Sequence, residues 1–364
     1  MTAVPPAPAG NPSDPTGPSD PGGDGQRRGR RDRNRGERFM VPKAEFRSYY
    51  GRPIIKEPVW EVPDVPGYLF FGGLAGASSV LAAGAQLTGR PGLTRAAKLA
   101  ALGGISISTV FLIHDLGRPA RFHHMLRVFK LSSPMSVGSW ILSAYGPMAG
   151  AAAVTNLAGL LPSAGKSTRP VISAAKTAAT VLGPPATAAA ALLGPAVTTY
   201  TAVLLCDTSV PVWHAAHREM PYVFAGSAAS AAGGFGLLAA PLGEQGPARR
   251  LAVIGSVAEL AARQLLERRL GEDLVEPYHQ GKSGRILKVA ELLTAAGAAG
   301  AALTRRTRLG SALSGVTLLA ASALTRYGIF EAGMASARDP KYTVVPQRKR
   351  QQARQEQEQA RATG

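Results

Sequence analysis

Between residues 66 and 330 the chain returns repeatedly to apolar stretches of about twenty residues, and that repetition limits its fold more than any other feature. A helix rises about 1.5 Å per residue, so about 20 apolar residues cross the roughly 30 Å hydrocarbon layer of a bilayer. The stretches predict helices at about 66–88, 97–114, 137–161, 186–206, 221–241, 248–266, 286–303 and 310–330. The expected fold is all-α: a polytopic membrane helix bundle of about eight transmembrane helices with disordered N- and C-terminal tails. Segments 248–266 and 286–303 carry charges and are expected inside the bundle. The pattern is most interrupted at 170–206, by Gly183, Pro184, Pro185, Gly194 and Pro195, and broken helices of this kind need protein or water to satisfy the freed backbone groups.

Composition agrees. The chain is 45% hydrophobic yet only 6% aromatic, so Ala, Gly, Leu and Val dominate, and small residues let helices approach closely in lipid. The mean hydropathy is near zero because polarity is concentrated at the two ends. Residues 1–40, rich in Pro, Gly, Asp and Arg, read as a disordered basic tail without a secretory signal core. Residues 41–65 hold Tyr49, Tyr50, Ile54, Ile55, Val59 and Trp60, too apolar for a free tail, among prolines that forbid a long helix. They read as an extended interfacial strap or a plain linker. Residues 66–331 form the membrane domain and 332–364 a polar tail.

The net charge of +18 does not require nucleic acid. Arginines from Arg27 to Arg38 cluster in the N-terminal tail, where membrane lipid headgroups are a suitable partner, and the other cations flank apolar segments as topology demands. The loops after odd and even helices are almost equally basic, so the tail tips the balance toward both termini in the cytoplasm of a multi-pass cell-membrane protein. Cys206 is the only cysteine, which excludes an internal disulfide and a cysteine-ligated iron–sulfur cluster in this chain.

The second apolar segment runs into Phe111–Leu112–Ile113–His114–Asp115–Leu116–Gly117–Arg118–Pro119. Gly117 can supply a left-handed helix stop and Pro119 can start the next element. Phe122, Met125, Leu126 and Phe129 then fall at helical spacing, predicting an amphipathic helix flat in the interface. The turn thus holds His114, Asp115 and Arg118 where hydrocarbon meets headgroups. Two readings stand on these residues alone: an interfacial cap, or a site for a lipid-soluble redox carrier, since histidine and a carboxylate exchange protons usefully near neutrality.

Other ionisable groups lie within or at the ends of the segments. Asp207 follows the fourth; Glu259 and Arg263 share a face of the sixth at i and i+4; Glu291 lies in the seventh; Arg326 and Glu331 are near the end of the eighth. Charges at such depth are costly and are expected to face inward as an ion-pair network or a proton path. His214 and His217 are three apart in a loop. The deep axial histidines of a membrane cytochrome b are missing, as are Walker, zinc and nucleophile-elbow motifs.

HDLGRP followed by ARFHHMLRVFKLSSPMSVGSW, then YTAVLLCDTSVPVWH, resembles the NrfD-like polysulphide reductase membrane subunits, over roughly 49–331. The resemblance implies an eight-helix, quinone-binding anchor, and the missing axial histidines and the single cysteine predict no haem or iron–sulfur cluster in this chain. It implies partners too: a ferredoxin-like four-cluster iron–sulfur subunit and a molybdopterin catalytic subunit. The exchangeable quinone, menaquinone or ubiquinone, would draw on His114, Asp115, Arg118 and Tyr200. Protons would pass through Asp207, Glu259, Arg263 and Glu291. Ala202 stands where relatives often have Gly. A purely structural anchor and a secondary transporter remain the alternative readings, although the two halves of the sequence show no self-similarity.

Overall fold

The computed structural model describes residues 54–116, 118–158 and 169–363, all within the second of two units that divide after Glu45. The N-terminal tail, the first part of the strap and Gly117 lie outside the described residues. Among the described residues eight long helices make the body: α1 (Asp64–Leu87), α2 (Pro91–His114), α3 (Pro134–Ala158), α4 (Arg169–Cys206), α6 (Met220–Ala239), α7 (Gly246–His279), α8 (Gly281–Leu303) and α9 (Arg308–Arg338). A short α5 (Pro211–Ala215) follows α4, and α10 (Lys341–Thr363) closes the chain. Six of the eight are long and apolar enough to cross a membrane. The other two are α3 and the charge-bearing α7, both of membrane length.

The helices pack as two groups of four. One is built from the pairs α1–α2, α3–α4 and α1–α4, the other from α6–α7, α8–α9 and α6–α9, and α1 and α4 meet α6 between them. Glycines make the closest crossings possible: a Cβ at Gly76 would run into the Gly194 carbonyl between α1 and α4, and one at Gly315 into the Gly234 carbonyl between α9 and α6. Close approach of this kind adds van der Waals contact between helices in lipid, which offers no hydrophobic drive of its own.

Several elements differ from the pattern reading. The fourth helix runs unbroken over 38 residues with Pro184, Pro185 and Pro195 inside it. Gly183 against Thr155 and Gly194 against Gly76 let α3 and α1 close on it, and membrane helices tolerate proline where neighbouring helices and local adjustments satisfy the freed backbone groups. The seventh-numbered helix extends past the expected residue 266 to Leu270, where Gly271 (φ 69°) breaks it, and resumes to His279. The amphipathic segment after Pro119 is a 3-10 helix, Pro119–Leu126, rather than an α-helix. With three residues per turn, Phe122 and Met125 fall on one stripe, and both line a cavity against α2 and α3.

The C-terminal segment is polar as expected but helical rather than disordered. Its Gln, Arg, Glu and Ala favour helix, and Lys341 and Lys349 dock it on Glu276 (2.5 Å) and Asp273 (2.6 Å).

Candidate functional site

At one end of the bundle α1 and α3 begin and α2 and α4 end, and a narrow cavity of about 40 Å³ opens among them. Helical spacing puts Asp64 and Tyr68, one turn apart, on the same side of α1. The turn after α2 brings Asp115, and Phe111, Leu112, Leu204 and Leu205 form apolar walls, with Met135 at the start of α3. Trp60 closes the remaining side. It stacks on Trp213 of α5 with ring centroids 5.8 Å apart. Trp213 is itself fully buried, its indole N–H donating to the Ile329 carbonyl at 2.8 Å, and Gly333 leaves room for its ring.

The polar groups are linked in pairs. His114 Nδ1 lies 2.7 Å from Asp64 Oδ2, tying the end of α2 to the start of α1; the imidazole is 76% exposed and the carboxylate only 9%. Burial pushes the Asp115 carboxyl above the ordinary range, and the neighbouring Asp64 and Glu61 carboxylates add to the rise, against an opposing hydrogen bond from the Glu61 backbone. Tyr68 and Tyr200 share a hydroxyl–hydroxyl hydrogen bond, their rings edge to face. Gly138 of α3 makes space for the Tyr200 ring. The Ser108 hydroxyl of α2 donates to the Tyr68 carbonyl at 3.1 Å.

Of the four residues expected to bind quinone, Asp115 lines the cavity, His114 sits at its rim on Asp64, and Tyr200 stands behind Tyr68. Arg118 is exposed. The residues expected on a proton path are scattered. Asp207 is exposed beyond α4. Glu259 is buried and accepts from Thr325 Oγ1 at 2.8 Å, with the fully buried Arg326 also nearby. Arg263 turns elsewhere, to Glu267 (2.9 Å), the Leu287 carbonyl (2.9 Å) and Glu291 (3.7 Å). Glu259 and Arg263 therefore do not pair despite their i, i+4 spacing. Arg326 lies over the Phe224 ring at 3.7 Å and donates to the Phe224 carbonyl. His214 and His217 each place Nδ1 on a backbone carbonyl, of Cys206 and His214.

Asp64, Glu61 and Tyr68 are the functional candidates that the sequence reading passed over. A signal existed: an acid at the first turn of the first apolar run, followed one turn later by a tyrosine, puts two proton-bearing groups on one face.

Among curated proteins none matches the chain. The model of the family described as "Polysulphide reductase, NrfD" matches residues 54–269, which takes in the cleft and both blocks quoted above. Together with the membrane-length helices, the match shows that the chain belongs to the NrfD polysulphide reductase family, as a multi-pass membrane subunit of an oxidoreductase complex.

Proposed function

We propose that the cleft at Asp64, Tyr68 and Asp115 is where this subunit meets a membrane quinone. One observation carries the reading: two carboxyl groups and a phenol converge on an apolar slot at the end of membrane-length helices. Those groups fit a quinone head, which needs hydrogen-bond partners for its carbonyls and apolar walls for its ring. The slot is narrow, so the half-exposed and flexible Met135 is the wall that moves to admit a ring.

A bound quinone supplies a two-electron, two-proton couple. Tyr68 donates a hydrogen bond to one carbonyl, with Tyr200 behind it as a hydrogen-bonded support. Asp115, its proton held more tightly by burial, is the proton donor. Asp64 orients His114, and the exposed imidazole exchanges protons with water. Arg118 is placed to meet a docked partner. That partner is a ferredoxin-like four-cluster iron–sulfur subunit, which connects to a molybdopterin catalytic subunit. Glu259, hydrogen-bonded by Ser227 and Thr325 and held beside the fixed charge of Arg326, forms the deeper proton store; Asp207 and the Arg263–Glu291 pair lie toward its outlets.

The test is the purified complex in liposomes containing menaquinone. Asp64→Asn and His114→Ala are expected to lower quinone-linked turnover on the order of 100-fold, while reduction of a soluble dye by the catalytic subunit stays intact. Full quinone-linked activity in an assembled His114→Ala complex removes His114 from the site, and full activity in both variants overturns the reading.

A further inference from the structure

The opposite end of the bundle holds a second concave site. A cavity of about 500 Å³ opens there among the α1–α2, α6–α7 and α8–α9 turns, within the roughly 300–1,000 Å³ of common ligand pockets. Arg90, Arg249, Arg250 and Arg305 converge on it. Among the described residues, none of the four lies in an ion pair. Glu244, the one acid in these turns, has an oxygen on the Leu93 N–H at 2.9 Å.

The arginines are built into the fold as well as displayed. Arg249 is buried, with its guanidinium on the Ala301 carbonyl, Gln245 Oε1 (3.3 Å) and Ser311 Oγ (3.1 Å). Arg305 is near enough to repel its charge. Arg90 reaches the Gly243 carbonyl at 3.4 Å, yet its buried Nε has no partner. An excess of cations on one side of a membrane requires only exposed charge. Here the charges line a cavity, which like-charge repulsion would disfavour without an anion. Guanidinium forks match phosphoryl oxygens in geometry.

Something else distinguishes a lipid phosphate from a free one. Ile254 lines the same cavity and is 65% exposed, and from it the exposed Val257 and Leu265 continue along α7. At helical spacing these three form one apolar stripe leading from the arginines along the exposed side of the helix.

We propose that this basin binds an anionic phospholipid, its phosphoryl oxygens on Arg90, Arg250 and Arg305 and an acyl chain along the α7 stripe. The site is independent of the quinone reading.

The full chain, delipidated in detergent, is titrated with phosphatidylglycerol, phosphatidylcholine or inorganic phosphate and followed by native mass spectrometry and thermal shift. Phosphatidylglycerol is expected to be retained about tenfold more tightly than phosphatidylcholine, whose quaternary ammonium cancels the phosphate charge and is repelled by the arginines. Arg250→Gln/Arg305→Gln should bring the two lipids to within about twofold, while Arg121→Gln/Arg127→Gln at the other end leaves the preference standing. Arg250→Lys/Arg305→Lys, which keeps the charge and the fold but loses the fork, should retain part of it. Inorganic phosphate at millimolar concentration should give no shift. Equal retention of both lipids overturns the proposal, as does an undiminished preference in the Gln and Lys variants, or a shift with inorganic phosphate matching that with lipid.

Discussion

At the cleft end of the bundle, basic side chains meet carboxylates: His114 with Asp64, Arg269 with Glu219, Lys282 with Glu331, Arg338 with Glu57 and Lys341 with Glu276. At the basin end no ion pair forms among the described residues, and the arginines turn to backbone instead. Arg308 donates to the carbonyls of Leu238 and Ala240, and Gln245 Nε2 to those of Leu237 and Ala240 at 2.9 Å. These are the carbonyls that the end of α6 leaves without helical partners, where a cation also meets the negative end of the helix dipole. The difference separates two uses of charge. Where the protein supplies its own counter-charges, single carboxyl groups can be desolvated and set aside for chemistry. Where no carboxylate pairs with them, cations hold helix ends together and leave a surplus for anions from outside.

If that division is right, substitutions at the two ends fail in different assays. Asp115→Asn should give the largest effect, a fall in quinone-linked turnover on the order of 100-fold, measured in liposomes. Its stability should move the other way. The folded-state pKa of Asp115 is raised, so at neutral pH the ionised carboxyl is a cost to the folded state, one that fades as pH falls through the folded pKa and is gone below the unfolded value. The variant should therefore unfold at the same or a higher temperature than the wild type at pH 7, with the gain lost near pH 3. A lowered unfolding temperature at pH 7 together with normal turnover would make Asp115 a structural cap.

Arg308→Met tests the other end. It removes charge-assisted hydrogen bonds to the end of α6; because Arg308 is exposed and water replaces part of what they supply, a total loss of roughly 1.5–3 kcal/mol is expected by thermal unfolding in detergent. Turnover per assembled molecule should stay within about twofold, since Arg308 lies at the far end of the bundle from Asp64 and Asp115. An activity loss at unchanged stability would mean that the ends are coupled and the division is wrong.

The division was only half legible in the sequence. Apolar length disclosed the helices, and the His114–Pro119 turn and Tyr200 lie within motifs that carry the family resemblance. Asp64 and Tyr68 escaped because their partners, His114 and Tyr200, are 50 and 132 residues away. Spacing along one helix cannot name a partner on another. The same limit explains Glu259 and Arg263: they are one turn apart, but α7 packs against both α9 and α8, so one reaches Thr325 and the other the Leu287 carbonyl. Arg90, Arg249 and Arg305 come from three turns far apart in the chain, and a count of loop cations sees topology where the fold builds a cavity. The grouping of helices in fours left no repeat in the sequence, because close packing needs small residues at crossings and not the same residues in each half.

The smallest effect should come from the ion pairs that tether α10 at the cleft end. Lys341 on Glu276 and Lys349 on Asp273 both hold the segment that follows the break at Gly271. The Lys349 side chain is 63% exposed and its partner 34%, so water and salt screen the attraction and the pair is worth less than about 1 kcal/mol. Lys349→Ala should leave the unfolding temperature of the bundle almost unchanged, yet speed amide exchange across residues 341–349, because the helix loses a tether without losing a core. Raising the salt concentration should reproduce the same local change in the wild type. If Lys349→Ala instead destabilises the bundle as much as Arg308→Met, the cleft-end pairs bear structural load, and paired charge at that end would not be what frees its carboxyl groups for chemistry.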